Sequence, residues 1–278
     1  MDGSDKRTLI AGAGHTKLII TVPSTAQVDF EGTLRVKSVR NFTPYTDQTP
    51  GAMWHGGNVS PATKHVLNVG VLSQAASFAP AELMLVDVLG CYPNIDGTIL
   101  TSQNLTNTGA ALPRYTDGVG VQAYLVLSSA SGGASTFLGN LDFIDAGNNP
   151  HFVVASGSYI LWFSPSGFAG RIWNAGVGVN SNCGPFVPLD SAWGGIKSVQ
   201  MIDFGNSAST CTDVALVLCK PILSLPVTAV LALSERNFLT QDMYLPRIYD
   251  GACLNWLYSC GAAAVMSPFH GYLDFVWG

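Results

Sequence analysis

Charged side chains are scarce in this chain. Asp, Glu, Lys and Arg make up 11% of its 278 residues, whereas they make up about 25% of a typical globular protein. A protein that stands alone in water needs more charge than this to cover its surface. The shortage therefore predicts that part of the surface is hidden against partner molecules. The net charge is −5 and no basic cluster exists, which argues against nucleic-acid binding.

Glutamate is also rare, and this bears on the fold. The chain has only Glu31, Glu82 and Glu235, and its other acidic residues are aspartates. Glutamate favours helices, whereas aspartate favours turns. Together with 30 glycines, this balance predicts a β-rich chain with many loops.

Metal-binding and secretory signatures are missing. The six cysteines form no Cys-x-x-Cys pair and no histidine-rich cluster accompanies them, so the sequence predicts no structural zinc site. The start Met-Asp-Gly-Ser-Asp-Lys-Arg lacks the apolar stretch of a signal peptide. We therefore expect synthesis in a cytoplasm, with reduced thiols.

Catalytic signatures are missing as well. The stretch Gly12–Lys17 has neither the Gly-x-x-x-x-Gly-Lys-Ser/Thr spacing nor the Gly-x-Gly-x-x-Gly spacing of nucleotide-binding loops. It also precedes a predicted strand instead of a helix. No Gly-x-Ser-x-Gly elbow is present, and no histidine stands four residues from another. Carboxylate pairs of the glycosidase type meet only in space, so the sequence does not test for them. We predict no catalytic residue, cofactor or metal ligand, and no enzyme.

One stretch occurs twice. Leu112–Gly118 reads Leu-Pro-Arg-Tyr-Thr-Asp-Gly, and Leu245–Gly251 reads Leu-Pro-Arg-Ile-Tyr-Asp-Gly, 133 residues later. A residue before proline is extended, and Asp-Gly is a turn signal. Each copy, called the LPR motif below, is therefore predicted to be an extended entry followed by a turn and a strand. An ancient duplication and a chance echo both remain open at this point.

The arginines of the two LPR motifs have two interpretations. Arg114 and Arg247 lie between apolar neighbours. Each guanidinium either pairs with a local carboxylate or turn carbonyls, or holds a contact between subunits through its planar fork.

Short apolar runs separated by turn signals predict strands along most of the chain. The predicted strands are 16–22, 32–39, 122–127, 152–156, 159–163, 196–204 and 269–278. The apolar run 214–233 contains Lys220, Pro221 and Pro226, which predict two buried strands with a bend and no membrane span. Residues 41–60, 92–110 and 169–192 are predicted loops. Residues 234–244 are predicted to be a polar connector with one helical turn.

One helix is predicted, at Ala79–Leu89. Ser77 can cap it, Pro80 suits its first turn, and Gly90 can end it. The fold class predicted overall is all-β, a sandwich or jelly roll with this one short buried helix and long loops. Residues 1–15 are expected to form an N-terminal arm and 16–278 the body, which has two halves if a boundary lies near 130–150.

The residues predicted to contact partners share large or planar side chains near loops and turns. Aromatic and arginine side chains are the usual anchors of such contacts, although tryptophans in loops can also bind carbohydrate. The predicted set is Arg114, Tyr115, Arg247, Tyr249, Met53, Trp54, Trp173 and Trp193.

Four stretches carry a resemblance to a known class of protein. They are Leu112–Gly118, Leu216–Pro221, Leu245–Leu257 and Ser267–Gly278, within a similarity that runs from about Leu83 to the end. Together they resemble virion structural proteins of tailed bacteriophages from aquatic hosts. The resemblance implies a β-sandwich or jelly-roll protein on the particle, and a capsid decoration or cement protein in particular.

The expected function is therefore structural. We expect a homotrimer that binds the major capsid protein in a virion assembled in the host cytoplasm, and that has no nucleic-acid or membrane partner. The alternatives are a receptor- or glycan-binding adhesin on a head spike or tail, and the major capsid or tail-tube protein itself.

Overall fold

β-strands dominate the computed structural model of this chain. It describes residues 14–22, 40–73, 81–105, 111–127, 131–132, 137–154, 160–162, 166–167, 174–176, 185–206, 213–241, 244–260 and 269–278. The all-β prediction is confirmed. The predicted arm and the predicted strand at 32–39 lie outside the described residues, apart from Gly14 and His15, which begin the first strand.

The described residues form eighteen strands. Their bounds are β1 (Gly14–Val22), β2 (Thr43–Pro44), β3 (Lys64–Ser73), β4 (Ala81–Ile95), β5 (Gln103–Asn104), β6 (Gln122–Leu127), β7 (Ser131–Gly132), β8 (Phe137–Asp145), β9 (Pro150–Val154), β10 (Ile160–Trp162), β11 (Ser166–Gly167), β12 (Asn174–Gly176), β13 (Ile196–Asn206), β14 (Val214–Val227), β15 (Leu233–Asn237), β16 (Arg247–Ile248), β17 (Leu254–Cys260) and β18 (Phe269–Trp277).

The described residues also contain two short helices. A 3₁₀ helix spans Ser191–Trp193, and an α-helix, α1, spans Phe238–Gln241. The helical turn predicted within 234–244 is confirmed by α1. In the described part of the chain, neither helix has the length or apolar character to cross a bilayer.

The chain divides into two compact units built from interleaved segments. Unit 1 holds β1, β3, β4 up to Asp87, and everything from Pro221 onward. Unit 2 holds β2, β4 from Val88, and the strands from there to Lys220. The long strands β4 and β14 are therefore each divided, with one part in unit 1 and the other part in unit 2.

Unit 1 contains an antiparallel sheet in the order β1–β18–β3–β15, with β16 also paired to β3. Its part of β4 pairs with β17. The core side chains come chiefly from β3, β4, β14, β17 and β18 and include Val69, Leu83, Leu225, Leu254 and Phe275. Because the two faces of a strand alternate, pairs such as Leu83 and Leu85, two residues apart, point into this core together.

Unit 2 contains an antiparallel sheet in the order β5–β13–β8–β9. In the same unit β14 pairs with β6, and β2 pairs with β4. Its separate core includes Leu112, Leu141, Phe143, Ile202 and Leu216.

The predicted helix at Ala79–Leu89 is wrong, because residues 81–95 form β4, the longest strand. Leu83 and Leu85 point into the core of unit 1, yet Val86 and Val88 on the opposite face are also fully buried. A strand buried on both faces is apolar all round, and periodicity does not distinguish it from a buried helix. The predicted loop from Tyr92 is corrected by the same strand, which continues to Ile95.

Strand β14 also differs from its prediction. It runs without interruption from Val214 to Val227 instead of forming two strands with a bend. Lys220, Pro221 and Ile222 are only half-buried, unlike the fully buried run before them. The predicted strands at 122–127, 196–204 and 269–278 are confirmed by β6, β13 and β18.

The two units repeat one strand arrangement. The order β1–β18–β3–β15 in unit 1 corresponds to β9–β8–β13–β5 in unit 2. The starts of β3 and β13, of β8 and β18, and of β6 and β17 are each 132 residues apart. The sequence repeats with them, since β8 begins Phe-Leu-Gly-Asn-Leu-Asp-Phe-Ile and β18 begins Phe-His-Gly-Tyr-Leu-Asp-Phe-Val. The chain is therefore internally duplicated, and the LPR motif is one part of the repeat.

Candidate interaction surfaces

Each LPR motif places its leucine in a core, ends in a turn, and is followed by a strand, as predicted. Leu112 is 2% exposed in the core of unit 2, and Leu245 is 4% exposed in the core of unit 1. Each motif closes at a glycine with positive φ, +78° at Gly118 and +71° at Gly251. Because glycine has no Cβ, it adopts this conformation without strain. Strands β6 and β17 follow directly.

Arg114 is a structural clamp inside unit 2. Its guanidinium is buried and donates hydrogen bonds to the carbonyl oxygens of Tyr45, at 3.0 Å, and Val88, at 3.1 Å. Arginine suits this task because its planar fork reaches two acceptors at once. Of the two interpretations offered by the sequence, bonding to backbone carbonyls is the one observed here.

Arg247 occupies the equivalent position in unit 1 and behaves differently. It is exposed, and its guanidinium lies 4.1 Å from the centre of the Tyr249 ring. Such a cation–π pair contributes about 0.5–1 kcal/mol at an exposed site. The stacked pair presents a flat, amphipathic surface to the solvent.

A loop of unit 1 is fastened to the second LPR motif. The Asp250 carboxylate accepts hydrogen bonds from the backbone N–H groups of Val59, at 2.9 Å, and Ser60, at 3.1 Å. In return, the Asn58 side-chain oxygen accepts from the N–H of Gly251 at 3.1 Å. The loop and the motif are therefore held as one surface.

Met53 and Trp54 lie on this loop and have different environments. The Met53 N–H donates to the Leu254 carbonyl at 2.9 Å, and its side chain packs against the core of unit 1. Trp54 is 62% exposed. We call Trp54, Arg247 and Tyr249 the Trp54 cluster, because the loop and the motif that carry them are bonded to each other.

A buried lysine fixes the next residues of the same loop. Lys64 is 1% exposed, and its ammonium group donates to the carbonyl oxygens of His55, at 2.9 Å, and Gly57. It also lies 3.0 Å from Nδ1 of His55 and 5.7 Å from the centre of the Trp277 ring. Backbone carbonyls and an aromatic face stabilise a cation that burial would otherwise destabilise.

Unit 2 carries a second aromatic cluster on the loop before β13. Trp193 ends the 3₁₀ helix, whose first turn is capped by the Asp190 carboxylate accepting from the Ala192 N–H at 2.9 Å. The indole stacks on the His151 ring with 4.6 Å between centroids and an interplanar angle of 25°. It also meets the Phe143 ring edge-on at 5.4 Å. We call Trp193, His151 and Asp145 the Trp193 cluster.

Asp145 orients the histidine of this cluster. Its carboxylate lies 2.9 Å from Nε2 of His151 and accepts from the Asn149 N–H at 2.7 Å. The backbone N–H of Asn149 is the main reason that the pKa of Asp145 is lowered from its usual value, and hydrogen bonds from His151 and the Asn149 side chain lower it further. The anionic form is therefore stabilised at the end of β8.

The loop before β13 is joined to the first LPR motif, as the loop before β3 is joined to the second. The Gly120 N–H donates to the Gly194 carbonyl at 2.6 Å, and the Ile196 N–H donates to the Val121 carbonyl at 3.0 Å. A Cβ at Gly195 would collide with the Gly118 carbonyl oxygen, so only glycine permits this close approach.

Tyr115 lies on the turn of the first LPR motif, with φ +50°. The ammonium group of Lys220 is 5.5 Å from the centre of its ring and donates to the Val119 carbonyl at 2.8 Å. Burial lowers the pKa of Lys220, and the charge of Asp117 acts in the opposite direction. Tyr115 itself packs against the core of unit 2, so only part of it is available to a partner.

The predicted contact residues therefore fall into three groups. Trp54, Arg247 and Tyr249 lie on the loop and the motif that are hydrogen-bonded to each other in unit 1. Trp193 belongs to the Trp193 cluster, and Met53, Arg114 and Tyr115 mainly support the units that carry them. Trp173 lies outside the described residues. His151 and Asp145 were not singled out from the sequence, because their meeting across the β8–β9 turn depends on a strand pairing that spacing alone does not reveal.

The chemistry of these clusters suits contact surfaces. Planar, partly exposed rings beside hydrogen-bonded backbone offer apolar area with polar edges, as anchors of protein interfaces do. Across the part of the chain that the structure describes, no three metal-ligating side chains of His, Cys, Asp or Glu come together.

Comparison with known proteins returns no relative of this chain. A scan against protein-family models finds no matching family. A search of curated proteins and a search of solved structures likewise find no match.

Proposed function

We propose that this chain is a structural protein of a virion, and specifically a capsid decoration or cement protein that stabilises joints between capsid subunits. The observation that carries the proposal is the pairing of a charge-poor composition with two repeated β-units, each presenting an aromatic loop cluster. One chain thereby offers two contact surfaces on related scaffolds. Such a chain suits a partner that itself repeats in a lattice.

We infer a jelly-roll topology for unit 1. Apart from the two-residue strand β16, its described strands, taken in chain order, are β1, β3, β4, β14, β15, β17 and β18. In a jelly roll of eight strands, the first sheet has the order 1-8-3-6 and the second contains the order 7-4-5. The sheet β1–β18–β3–β15 and the run β17–β4–β14 match that scheme when the second strand is left unassigned. Jelly rolls are common in viral capsid proteins, which supports the proposal.

The energetic basis of cementing is burial of apolar surface across joints. At about 25 cal/mol per Å², a standard interface of about 1,600 Å² offers a large gross stabilisation before association costs are subtracted. Trp54, with its 62% exposure, and the Arg247–Tyr249 stack supply the kind of side chains that dominate such contacts. A homotrimer presents three identical copies of each surface.

Two measurements test the proposal. Mass spectrometry of purified virus particles from the culture that carries the gene should find the chain in copy numbers comparable to those of the major capsid protein. Size-exclusion chromatography with light scattering should give three times the 29.3 kDa chain mass. A chain absent from the particles would overturn the virion role, and a persistent monomer at high concentration would overturn the trimer.

The major capsid protein is a second candidate, favoured by the repeated strand order of the two units. Two units with one strand order in a single chain can tile a shell with quasi-equivalent contacts. Expression of the chain alone, followed by electron microscopy, separates the two roles. Closed shells or sheets indicate the capsid protein, whereas discrete oligomers indicate the cement protein.

A further inference from the structure

Unit 1 is assembled from two pieces of chain that lie far apart in sequence. The N-terminal segment, residues up to 27 together with 52–87, supplies β1, β3 and the first part of β4. The C-terminal segment, residues 221–278, supplies the last part of β14 together with β15, β16, β17 and β18. Residues 28–51 and 88–220 belong to unit 2, and the strands β4 and β14 each pass from one unit into the other.

Every pairing between described strands of unit 1 joins one segment to the other. Strand β18 pairs with β1 and β3, β15 and β16 pair with β3, and β17 pairs with β4. The neighbour of β4 in the same sheet, β14, also comes from the other segment. Among the described residues, neither segment pairs any of its strands with another strand of its own.

The core of unit 1 is shared in the same way. Val66, Val69 and Leu83 come from the N-terminal segment, while Leu273 and Phe275 come from the C-terminal segment. All five are fully buried. Either segment alone would expose these side chains and leave strand edges unpaired, which is costly in water.

Unit 2 is connected differently. Its strands from β5 to β13, and the parts of β4 and β14 that belong to it, lie on one continuous stretch of residues 88–220. Its strands β8 and β9 are consecutive and pair through the short turn after Asp145. Most of unit 2 can therefore form from this stretch alone, and residues 28–51, which carry β2, add to it from the N-terminal side.

We propose that unit 1 is completed between chains, with the N-terminal segment of one copy paired to the C-terminal segment of a second copy. The contacts in an exchanged unit 1 are the same as those in the closed one, so exchange requires no new interface. Each copy then has one N-terminal and one C-terminal segment to pair with other copies. The linkage is therefore head-to-tail, and it either closes into a ring or continues as an open filament. This inference does not depend on the virion role proposed above.

Local concentration decides between the closed and the exchanged forms. Within one chain the two segments meet at an effective concentration set by the intervening residues. On a crowded particle or at a high concentration of protein, neighbouring copies compete with that intramolecular partner. The exchanged fraction should therefore rise with protein concentration during folding.

A cysteine pair across β3 and β15 tests the proposal in the full-length chain. Leu72 of the N-terminal segment faces Leu233 of the C-terminal segment, and neither side chain is fully buried. One variant carries Leu72→Cys and another carries Leu233→Cys. The two are unfolded, mixed, refolded at increasing concentration and oxidised, and the cross-linked peptides are identified by mass spectrometry.

Exchange predicts a disulfide between the two chains, in a yield that rises with concentration. The matched control uses Asp142→Cys and Phe152→Cys, which face each other across β8 and β9 in unit 2. That pair belongs to one continuous stretch and should give no link between chains. The double variant carrying Leu72→Cys and Leu233→Cys shows whether a disulfide can form between these two positions at all.

The outcome that overturns the proposal is closure of the disulfide within the double variant, with no link between mixed single variants at any concentration. Light scattering of the unaltered chain, refolded over the same range and then diluted, gives an independent measurement. Oligomers that persist on dilution support exchange, because separating them requires unit 1 to unfold. A chain that is monomeric throughout contradicts it.

Discussion

Leu141 and Leu273 hold the same position in the two repeats. Each is the fifth residue of its strand, β8 or β18, each precedes an aspartate and a phenylalanine, and each is fully buried. Leu141 lies in the core of unit 2 and Leu273 in the core of unit 1. The repeat therefore extends from strand order down to the packing of single side chains.

Truncation of Leu141 should destabilise unit 2, and truncation of Leu273 should destabilise unit 1. We expect Leu141→Ala and Leu273→Ala each to lower the free energy of unfolding by about 2–5 kcal/mol, because each leaves a cavity in a closed core. Urea denaturation followed by circular dichroism measures the change. Phe152→Ala is the control, since that ring is 67% exposed. A neutral Leu273→Ala would show that the core of unit 1 is not packed as described.

The two motif arginines should differ in their effect on stability. Arg114→Ala removes donors from two backbone carbonyls and should cost about 1–3 kcal/mol. Arg247→Ala removes an exposed stacked group and should change stability by no more than about 1 kcal/mol. Thermal unfolding of both variants gives the comparison. Equal losses would contradict the buried clamp assigned to Arg114.

Two aspartates of β8 should give opposite dependences on pH. The pKa of Asp145 is lowered, chiefly by the Asn149 N–H, so its stabilisation is present above the unfolded pKa of about 3.9 and is lost as the pH falls through the folded value. The pKa of Asp142 is raised, first by burial and then by Asp203. Its ionised form therefore destabilises the fold, and that penalty disappears as the pH falls.

Denaturation between about pH 2 and pH 6 tests this contrast. Asp145→Asn should flatten the loss of stability toward acid, whereas Asp142→Asn should make that loss steeper by removing an opposing contribution. If stability changed with pH in the same way in both variants, the opposite pKa shifts assigned to Asp145 and Asp142 would be refuted.

Trp54 should matter for association and not for folding. We expect Trp54→Ala to alter the unfolding free energy by less than about 0.5 kcal/mol, because the ring is mostly exposed. If the Trp54 cluster anchors a contact, the same change should weaken self-association or capsid binding at least about tenfold. Sedimentation velocity measures self-association, and Phe152→Ala serves as an equally exposed control. Unchanged association would remove Trp54 from the contact.

A glycan array separates the adhesin alternative from these roles. Saturable binding that is lost in Trp54→Ala or Trp193→Ala, and kept in Phe152→Ala, would favour an adhesin, because sugars stack on accessible aromatic rings.

The sequence predicted the strands best where their signals are local. Alternation and turn residues sufficed for β6 and β18, which lie where they were expected. The signal failed at β4, because Leu83, Leu85, Val86 and Val88 are buried on both faces and leave no period-two pattern. Burial from two sides is a property of the neighbouring strands, and those strands are distant in sequence.

The duplication was visible only in part. The LPR motifs repeat at 133 residues, whereas β8 and β18 repeat at 132, so a fixed offset of 133 misses the second match. The contact between His151 and Asp145 was missed for a related reason. It needs the register of the β8–β9 hairpin, which the turn geometry sets and single-residue patterns do not.

The split origin of unit 1 has a consequence for synthesis on the ribosome. At about 5–20 residues per second, the stretch between Asp87 and Pro221 takes roughly ten seconds to translate. During that time the nascent strands β1 and β3 wait for partners that have not yet been made. A chaperone that binds these strands would favour pairing with the C-terminal segment of the same chain. A finished C-terminal segment from a neighbouring ribosome would favour pairing between chains.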